Sequence, residues 1–293
     1  MKQEIAVPGS VGNVGPGFDT LSLAVSLYLR VRITRLCDDG RGRLITRFLD
    51  GPPLGQNRIE RAFKAMPRAG RPPPSLEIEV RSEIPQRAGL GSSAAATIAG
   101  LRLRALVDGP RSIDELMSAA YRMERHPDNA ASALFGGFTS SCVMADGRVT
   151  VNTWTWPRSW RLVVATPPEG LSTARSRRLL PAAIPLTDAV FNLQRLARLL
   201  AAVQSRTAAD LAEAFRDRCH QPYRQPLVPM LGRLLAVEHP DVLGVCLAGA
   251  GPSVVVFARR NVAAIAKMVH RMYQENGVGC SVRTLKVHEQ GDV

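Results

Sequence analysis

Residues 4–8, 25–36, 43–49 and 76–80 are rich in β-branched or alternating apolar residues, as in Leu76-Glu-Ile-Glu-Val80, and predict strands. Beyond them the period lengthens toward that of a helix over 94–106, 113–123 and 128–135. Gly136-Gly137 then breaks the helical pattern into a strand pair ending near Val151, and residues 154–160 read as a junction. A second unit opens with a strand over 160–166. It continues through helices over 186–203, 208–219 and 227–237, strands at 244–247 and 253–257, a helix over 262–276 and a last strand over 281–287. This half predicts a sheet covered by helices on one face, so the fold class is α+β, with domains at 1–155 and 156–293.

Between the strand at 76–80 and the helix at 94–106 lies Pro85-Gln-Arg-Ala-Gly-Leu-Gly-Ser-Ser-Ala-Ala-Ala96. Gly89 and Gly91 let a backbone approach an anion. Ser92 and Ser93 stand where a helix N-terminus points its free N–H groups, and the Ser93 hydroxyl could reach a magnesium ion. A turn with a helix cap would carry similar letters, and no Walker A sequence is present. Two more glycine clusters bear on that choice, although each alone could be an Asx-stabilised loop or a glycine hairpin. Pro8-Gly-Ser-Val-Gly-Asn-Val-Gly-Pro-Gly-Phe-Asp19 follows the first strand, and Asn13 and Asp19 add an amide and a carboxylate suited to a polar substrate. Cys246-Leu-Ala-Gly-Ala-Gly-Pro-Ser253 joins two apolar strands, where Gly249 and Gly251 could turn N–H groups to phosphate or close the substrate site.

Composition narrows the class. A chain of 293 residues, 45% hydrophobic, has enough apolar mass for a two-domain core. No stretch approaches the ~18 to 20 apolar residues of a membrane span, and Met1-Lys-Gln-Glu-Ile-Ala-Val lacks the apolar core of a secretion signal, so a cytoplasmic setting is expected. Cys37, Cys142, Cys219, Cys246 and Cys280 are odd in number and widely spaced, which argues against a disulfide framework or a zinc site and for reduced, mostly buried thiols. The formal charge of +13 suits an anionic ligand. It gives little support to nucleic-acid binding, because aromatics are 5% and no basic run is interleaved with them. Arg71-Pro-Pro-Pro74 reads as a short rigid loop without a function.

In this order the three glycine clusters resemble the signature motifs of the GHMP kinase superfamily, small-molecule kinases for galactose, homoserine, mevalonate and phosphomevalonate. The resemblance implies an N-terminal domain like ribosomal protein S5 domain 2, a ferredoxin-like C-terminal domain, and ATP in the cleft between them. Further segments are similar to the homoserine kinase branch: the opening cluster, although Gly9-Ser-Val-Gly12 departs from the usual alanine-threonine-serine-alanine; Glu124-Arg-His-Pro-Asp-Asn-Ala-Ala131 with Leu134-Phe-Gly-Gly-Phe138, where Arg125 replaces the usual glycine; Ser172-Thr-Ala-Arg-Ser-Arg-Arg-Leu-Leu-Pro181; and His220-Gln-Pro-Tyr-Arg224.

That branch implies transfer of the γ-phosphoryl group of ATP to the side-chain hydroxyl of L-homoserine. ATP would lie against Pro85, Gly89, Leu90, Gly91, Ser92, Ser93 and Ala94, with Asn57 on the adenine side, and Ser93 and Glu124 would hold Mg2+ as the catalytic pair. The amino acid would meet Asn13, Asp19, His126, Asn129, Thr173, Arg177, Arg224 and Gly249, the two arginines on its carboxylate and Asp19 on its ammonium. Arg175 and Arg178 flank Arg177, so the register of that contact stays open by a turn. Arg125 could pair with Glu124 or turn to a phosphate, and Glu124 could pair with Arg122. Asp128, the nearest candidate base, is expected to have a helix-capping or structural job, and His220, His239, His270 and His288 take no role. Competing readings are a kinase for L-threonine, pantoate or an isoprenoid precursor, and a silent homologue that binds nucleotide or amino acid. A homodimer is the family expectation.

Overall fold

The computed structural model describes residues 4–66 and 74–290. Most of the Arg71-Pro-Pro-Pro74 loop and the first three residues lie outside them. The first sheet is built from β1 (Glu4–Gly12), β2 (Leu21–Cys37), β3 (Leu44–Phe48), β4 (Ser75–Ser82), β5 (Phe138–Val143) and β6 (Val149–Trp154). Its order is β3-β4-β2-β5-β6, with β1 paired to β2 and only β3–β4 parallel. Helices α1 (Arg58–Ala65), α2 (Ser92–Asp108), α3 (Ile113–Glu124) and α4 (Pro127–Phe135) pack on one another and on this sheet.

The β1–β2 register slips between Pro8 and Gly9, where proline offers no N–H to the ladder and the first glycine cluster begins. On its other edge, between the stretches paired to β5 and to β4, β2 binds residues 286–288. Ser26 N–H donates to the Lys286 carbonyl (3.0 Å), His288 N–H to the Ala24 carbonyl (3.1 Å), and Val287 bridges Val25. The chain therefore returns from the second sheet to the first.

That second sheet contains β7 (Arg161–Thr166), β8 (Val242–Leu247), β9 (Val254–Ala258) and β10 (Ser281–Leu285) in the order β10-β7-β9-β8, all antiparallel. Helices α5 (Thr173–Arg177), α6 (Leu186–Ser205), α7 (Leu211–Ala214), α8 (Gln221–Arg224) and α9 (Leu231–Leu235) connect β7 to β8, and α10 (Val262–Glu275) connects β9 to β10. A βαββαβ chain with strand order 4-1-3-2 is the ferredoxin-like arrangement.

Helices cover both faces of this sheet, against the expectation of one. Val163, Ala165, Val254 and Val256 point to a core completed by Leu231, Leu234, Ile265 and Val269. Leu162, Val164, Val255 and Phe257 point the other way, to Leu199, Ala202, Phe215 and Trp156, and join the core of the first sheet. Strands β7, β8 and β9 are apolar on both sides, so each face needs a cover. The single helix expected at 208–219 is only the four-residue α7, because the chain stops at Asp217 to build a loop described below. The helix expected at 227–237 shrinks to α9, and α1 and α8 were not foreseen. Among the described residues no helix is long and apolar enough to cross a membrane.

Candidate active site

The three glycine clusters meet through their backbones. Ser10 N–H donates to the Leu90 carbonyl (3.0 Å), Gly249 N–H to Gly12 (2.9 Å) and Ser253 N–H to Ala88 (3.3 Å). Such proximity leaves no room for side chains: a Cβ on Gly89 would sit 2.1 Å from the Ala248 carbonyl oxygen, and Gly89 has φ +79°. The third cluster thus closes the site. The Gly249 and Gly251 N–H groups are spent on Gly12 and Ala248.

These clusters border a cleft of ≈ 720 Å³, and every residue nominated above for ATP, metal or substrate lines it. At one end Gly91 (φ 71°) starts α2 without a side-chain cap, which leaves the first-turn N–H groups of Ser92, Ser93 and Ala94 without intrahelical acceptors. Leu29, Phe48, Val80 and Ile84 give this end apolar walls. Asn57 stands there as the cap of α1, accepting from Glu60 N–H (3.3 Å) and donating to Thr46 Oγ1 (3.3 Å).

Glu124, the last residue of α3, receives Ser93 Oγ (2.7 Å), Thr97 Oγ1 (2.6 Å) and Arg58 Nη1 (2.8 Å). Thr97 follows Ser93 by one helical turn, so both hydroxyls face the same carboxylate. Its cationic partner is Arg58, not Arg122 or Arg125. Neither Thr97 nor Arg58 was nominated, though Thr97 was legible as the i+4 neighbour of Ser93.

At the other end Asp19 pairs with Arg177 and lies 3.7 Å from His126. Asn13, at φ 57°, accepts the Asp19 N–H (2.8 Å) and so orients the carboxylate. Arg177 is the arginine of its run that lines the cleft; Arg175 and Arg178 are exposed. Its guanidinium lies 5.2 Å from the Phe18 ring centroid, and that of the fully buried Arg224 lies at the same distance. Phe18 was missed because an aromatic beside glycines carries no chemical label. Burial, then the charge of Arg177, lowers the Arg224 pKa to about 10.

Pro127 starts α4 and fixes Asp128 in its first turn. The Asp128 carboxyl is buried with Oδ2 unpartnered, and burial, then the Asp19 charge, raises its pKa to about 6. It lines the cleft and, of the two jobs expected of it, does not cap the helix. Burial holds His126 below the usual histidine range.

Family comparisons agree with this geometry. The models described as "GHMP kinases N terminal domain" and "GHMP kinases C terminal" match residues 57–137 and 199–275. The chain is 36% identical over 301 residues to a homoserine kinase of Moorella thermoacetica, covering 99% of this chain and 98% of that one. The chain belongs to the homoserine kinase family of GHMP kinases. A homoserine kinase of Solibacter usitatus is 35% identical over 98% of this chain and 95% of its own. The crystal structure of homoserine kinase from Cytophaga hutchinsonii has the same fold, with a TM-score of 0.82 at 24% identity over 99% and 97% of the two chains.

Each departure from the family pattern has a structural consequence. Arg125 is the left-handed C-cap of α3 (φ 62°), its N–H donating to the Tyr121 carbonyl (2.8 Å) and its side chain exposed. Glycine suits that conformation better, so the substitution adds backbone strain rather than a charge on Glu124. In Gly9-Ser-Val-Gly12, Ser10 Oγ donates to Asn129 Oδ1 (2.7 Å), and a Cβ on Gly12 would fall 2.5 Å from both Asp128 Oδ2 and Asn129 Nδ2.

Proposed function

We infer that the protein is an ATP-dependent homoserine kinase that transfers the γ-phosphoryl group to the side-chain hydroxyl of L-homoserine. One observation carries this reading. The uncapped helix N-terminus and its acid-hydroxyl cluster share a cleft with two guanidinium groups and Asp19, a set that matches a nucleotide triphosphate beside a zwitterion.

The first-turn N–H groups of α2 would hold phosphate oxygens, and the apolar end with Asn57 would take the base. The Glu124 carboxylate and the Ser93 hydroxyl, both on the cleft wall, form an oxygen donor pair, with the buried Thr97 hydroxyl bonded to the same carboxylate. The pair fits Mg2+, which keeps waters and phosphate oxygens among its ligands. When bound, Mg2+ neutralises charge on the phosphates. Arg177 and Arg224 would take the substrate carboxylate and Asp19 its ammonium, while Asn13, His126, Asn129 and Thr173 limit how the side chain lies.

In the reaction the substrate hydroxyl oxygen bonds to the γ-phosphorus, the bond to the bridging oxygen breaks with its electron pair left on ADP, and the hydroxyl proton is released to water. The chain's contribution is alignment and charge compensation, which suits a loose transition state. A homodimer and a cytoplasmic setting belong to this reading on family grounds.

Phosphorus NMR of a reaction with ATP, Mg2+ and L-homoserine tests it. The reading requires ADP and O-phospho-L-homoserine to appear in equal amounts; ADP with inorganic phosphate alone would refute it.

A further inference from the structure

Asp217 ends the stretch that was expected to be one long helix, and its carboxylate gathers the N–H groups of Cys219 (2.9 Å), His220 (3.1 Å) and Gln221 (2.7 Å) with Asn192 Nδ2 (2.7 Å). The collar fixes His220 ahead of α8, fully buried, with its ring stacked on Phe18 at 5.3 Å. One ring nitrogen, Nδ1, lies 3.1 Å from Arg224 Nη1. The other, Nε2, lies 2.9 Å from the Gly15 carbonyl oxygen.

Those partners determine the proton's place. A guanidinium nitrogen can only donate, so Nδ1 must accept; a carbonyl oxygen can only accept, so Nε2 must donate. The neutral ring protonated at Nε2 satisfies both. A charged ring would turn a second donor toward Arg224 and leave the guanidinium without that acceptor. Asp217, 3.5 Å from Nε2, and Asp19 favour the charged ring, while burial and Arg224 oppose it; burial is the largest influence, and the ring's pKa lies below the usual histidine value.

We propose that His220 is the positioning residue for Arg224: its neutral Nε2–H ring holds one guanidinium nitrogen at Nδ1 and ties it to the Gly15 carbonyl of the first glycine cluster. Arg224 Nη1 is held a second time by the Gly249 carbonyl (3.1 Å), in the third cluster. The guanidinium is thereby referenced to both loops that border the substrate end of the cleft, and Phe18 packs against guanidinium and imidazole alike. This inference rests on the assignment of Arg224 to the substrate carboxylate.

Two variants separate the positioning role from simple packing. Leucine fills the site without a polar atom. Asparagine returns an acceptor near the Nδ1 position but no donor that reaches Gly15. His220→Leu is expected to lower kcat/KM for homoserine about tenfold or more while the KM for ATP stays within about twofold, and His220→Asn, which restores the acceptor but not the tie to Gly15, to recover only part of that loss. If asparagine is as poor as leucine, or leucine leaves the homoserine parameters unchanged, the proposal falls.

Nitrogen-15 NMR of the unsubstituted protein at neutral pH gives a check that needs no variant to fold. The His220 ring must show a protonated Nε2 and a bare Nδ1, and a proton on Nδ1 overturns the proposal. Arg224→Ala distinguishes the two levels of failure. If it raises the homoserine KM and His220→Leu does not, only the positioning role is lost; if it leaves that KM unchanged, the carboxylate assignment fails and this inference with it.

Discussion

Asp19 and Arg177 hold each other across the substrate end of the cleft, so two groups suited to opposite ends of an amino acid are paired before any amino acid arrives. Both side chains are about 30% exposed (30% and 28%), and opening the pair is inexpensive at that exposure. A zwitterion can replace each partner with a charge of the same sign, which an uncharged alcohol cannot do. Arg177→Ala and Asp19→Asn should each raise the homoserine KM about tenfold or more, with the KM for ATP little changed. Thermal melting should shift little in either, because the pair contributes at most about 1 kcal/mol to stability. Steady-state kinetics with each substrate varied in turn checks this; equal losses for ATP and homoserine would contradict it.

Glu124 gathers the Ser93 and Thr97 hydroxyls and Arg58, so it should matter more than any one of its partners. Glu124→Gln is expected to reduce kcat by about 100-fold or more, and Thr97→Val to raise the Mg2+ concentration needed for half-maximal rate by several-fold with a modest change in kcat. Magnesium titrations of the two variants provide the measurement. A wild-type magnesium requirement in Thr97→Val would show that its bond to Glu124 does not set the metal site.

Asp128 makes stability depend on pH with an unusual sign. Its carboxyl keeps its proton to about pH 6 in the fold, against 3.8 for an ordinary aspartate in the unfolded chain. Between those values the folded protein binds more protons, so this group's contribution falls as pH rises and is most unfavourable above about pH 6. Asp128→Asn should therefore stabilise the substrate-free protein at neutral pH, by on the order of 1–3 kcal/mol, with the gain vanishing toward about pH 4. Urea melts across that range test the sign; a variant that is less stable at neutral pH would reverse it.

Gly12 is small because Asp128 and Asn129 occupy the space beside it. In Gly12→Ala the added methyl must push those side chains toward the substrate, so homoserine binding should weaken by about tenfold or more while nucleotide binding persists. Calorimetry with a non-hydrolysable ATP analogue and with homoserine separates the two. Equal weakening of both ligands would mean that the glycine clusters had moved as a body.

Much of this was legible in the chain. The glycine-serine loop announces itself because glycines at 89 and 91 followed by two serines solve a backbone problem that few other residues solve, and the second sheet follows from its apolar strands. Less visible were residues whose importance comes from what they face. Arg58 reaches Glu124 across 66 positions and Phe18 lies between arginines 47 residues apart in the chain, contacts that no local pattern encodes. The short helices failed for a related reason. The segment before His220 has helical composition, yet Asp217 draws three following N–H groups into a loop, and that tertiary demand overrides propensity.

ADP release by the purified protein with Mg2+ and ATP, compared across L-homoserine, L-threonine, L-serine, pantoate, mevalonate and no acceptor, tests the central claim most directly. The paired charges and the two buried or half-buried arginines at the substrate end predict strong stimulation by L-homoserine and little by pantoate or mevalonate, which lack an ammonium group. Stimulation by one of those two acids, or ADP release indifferent to every acceptor, would contradict it.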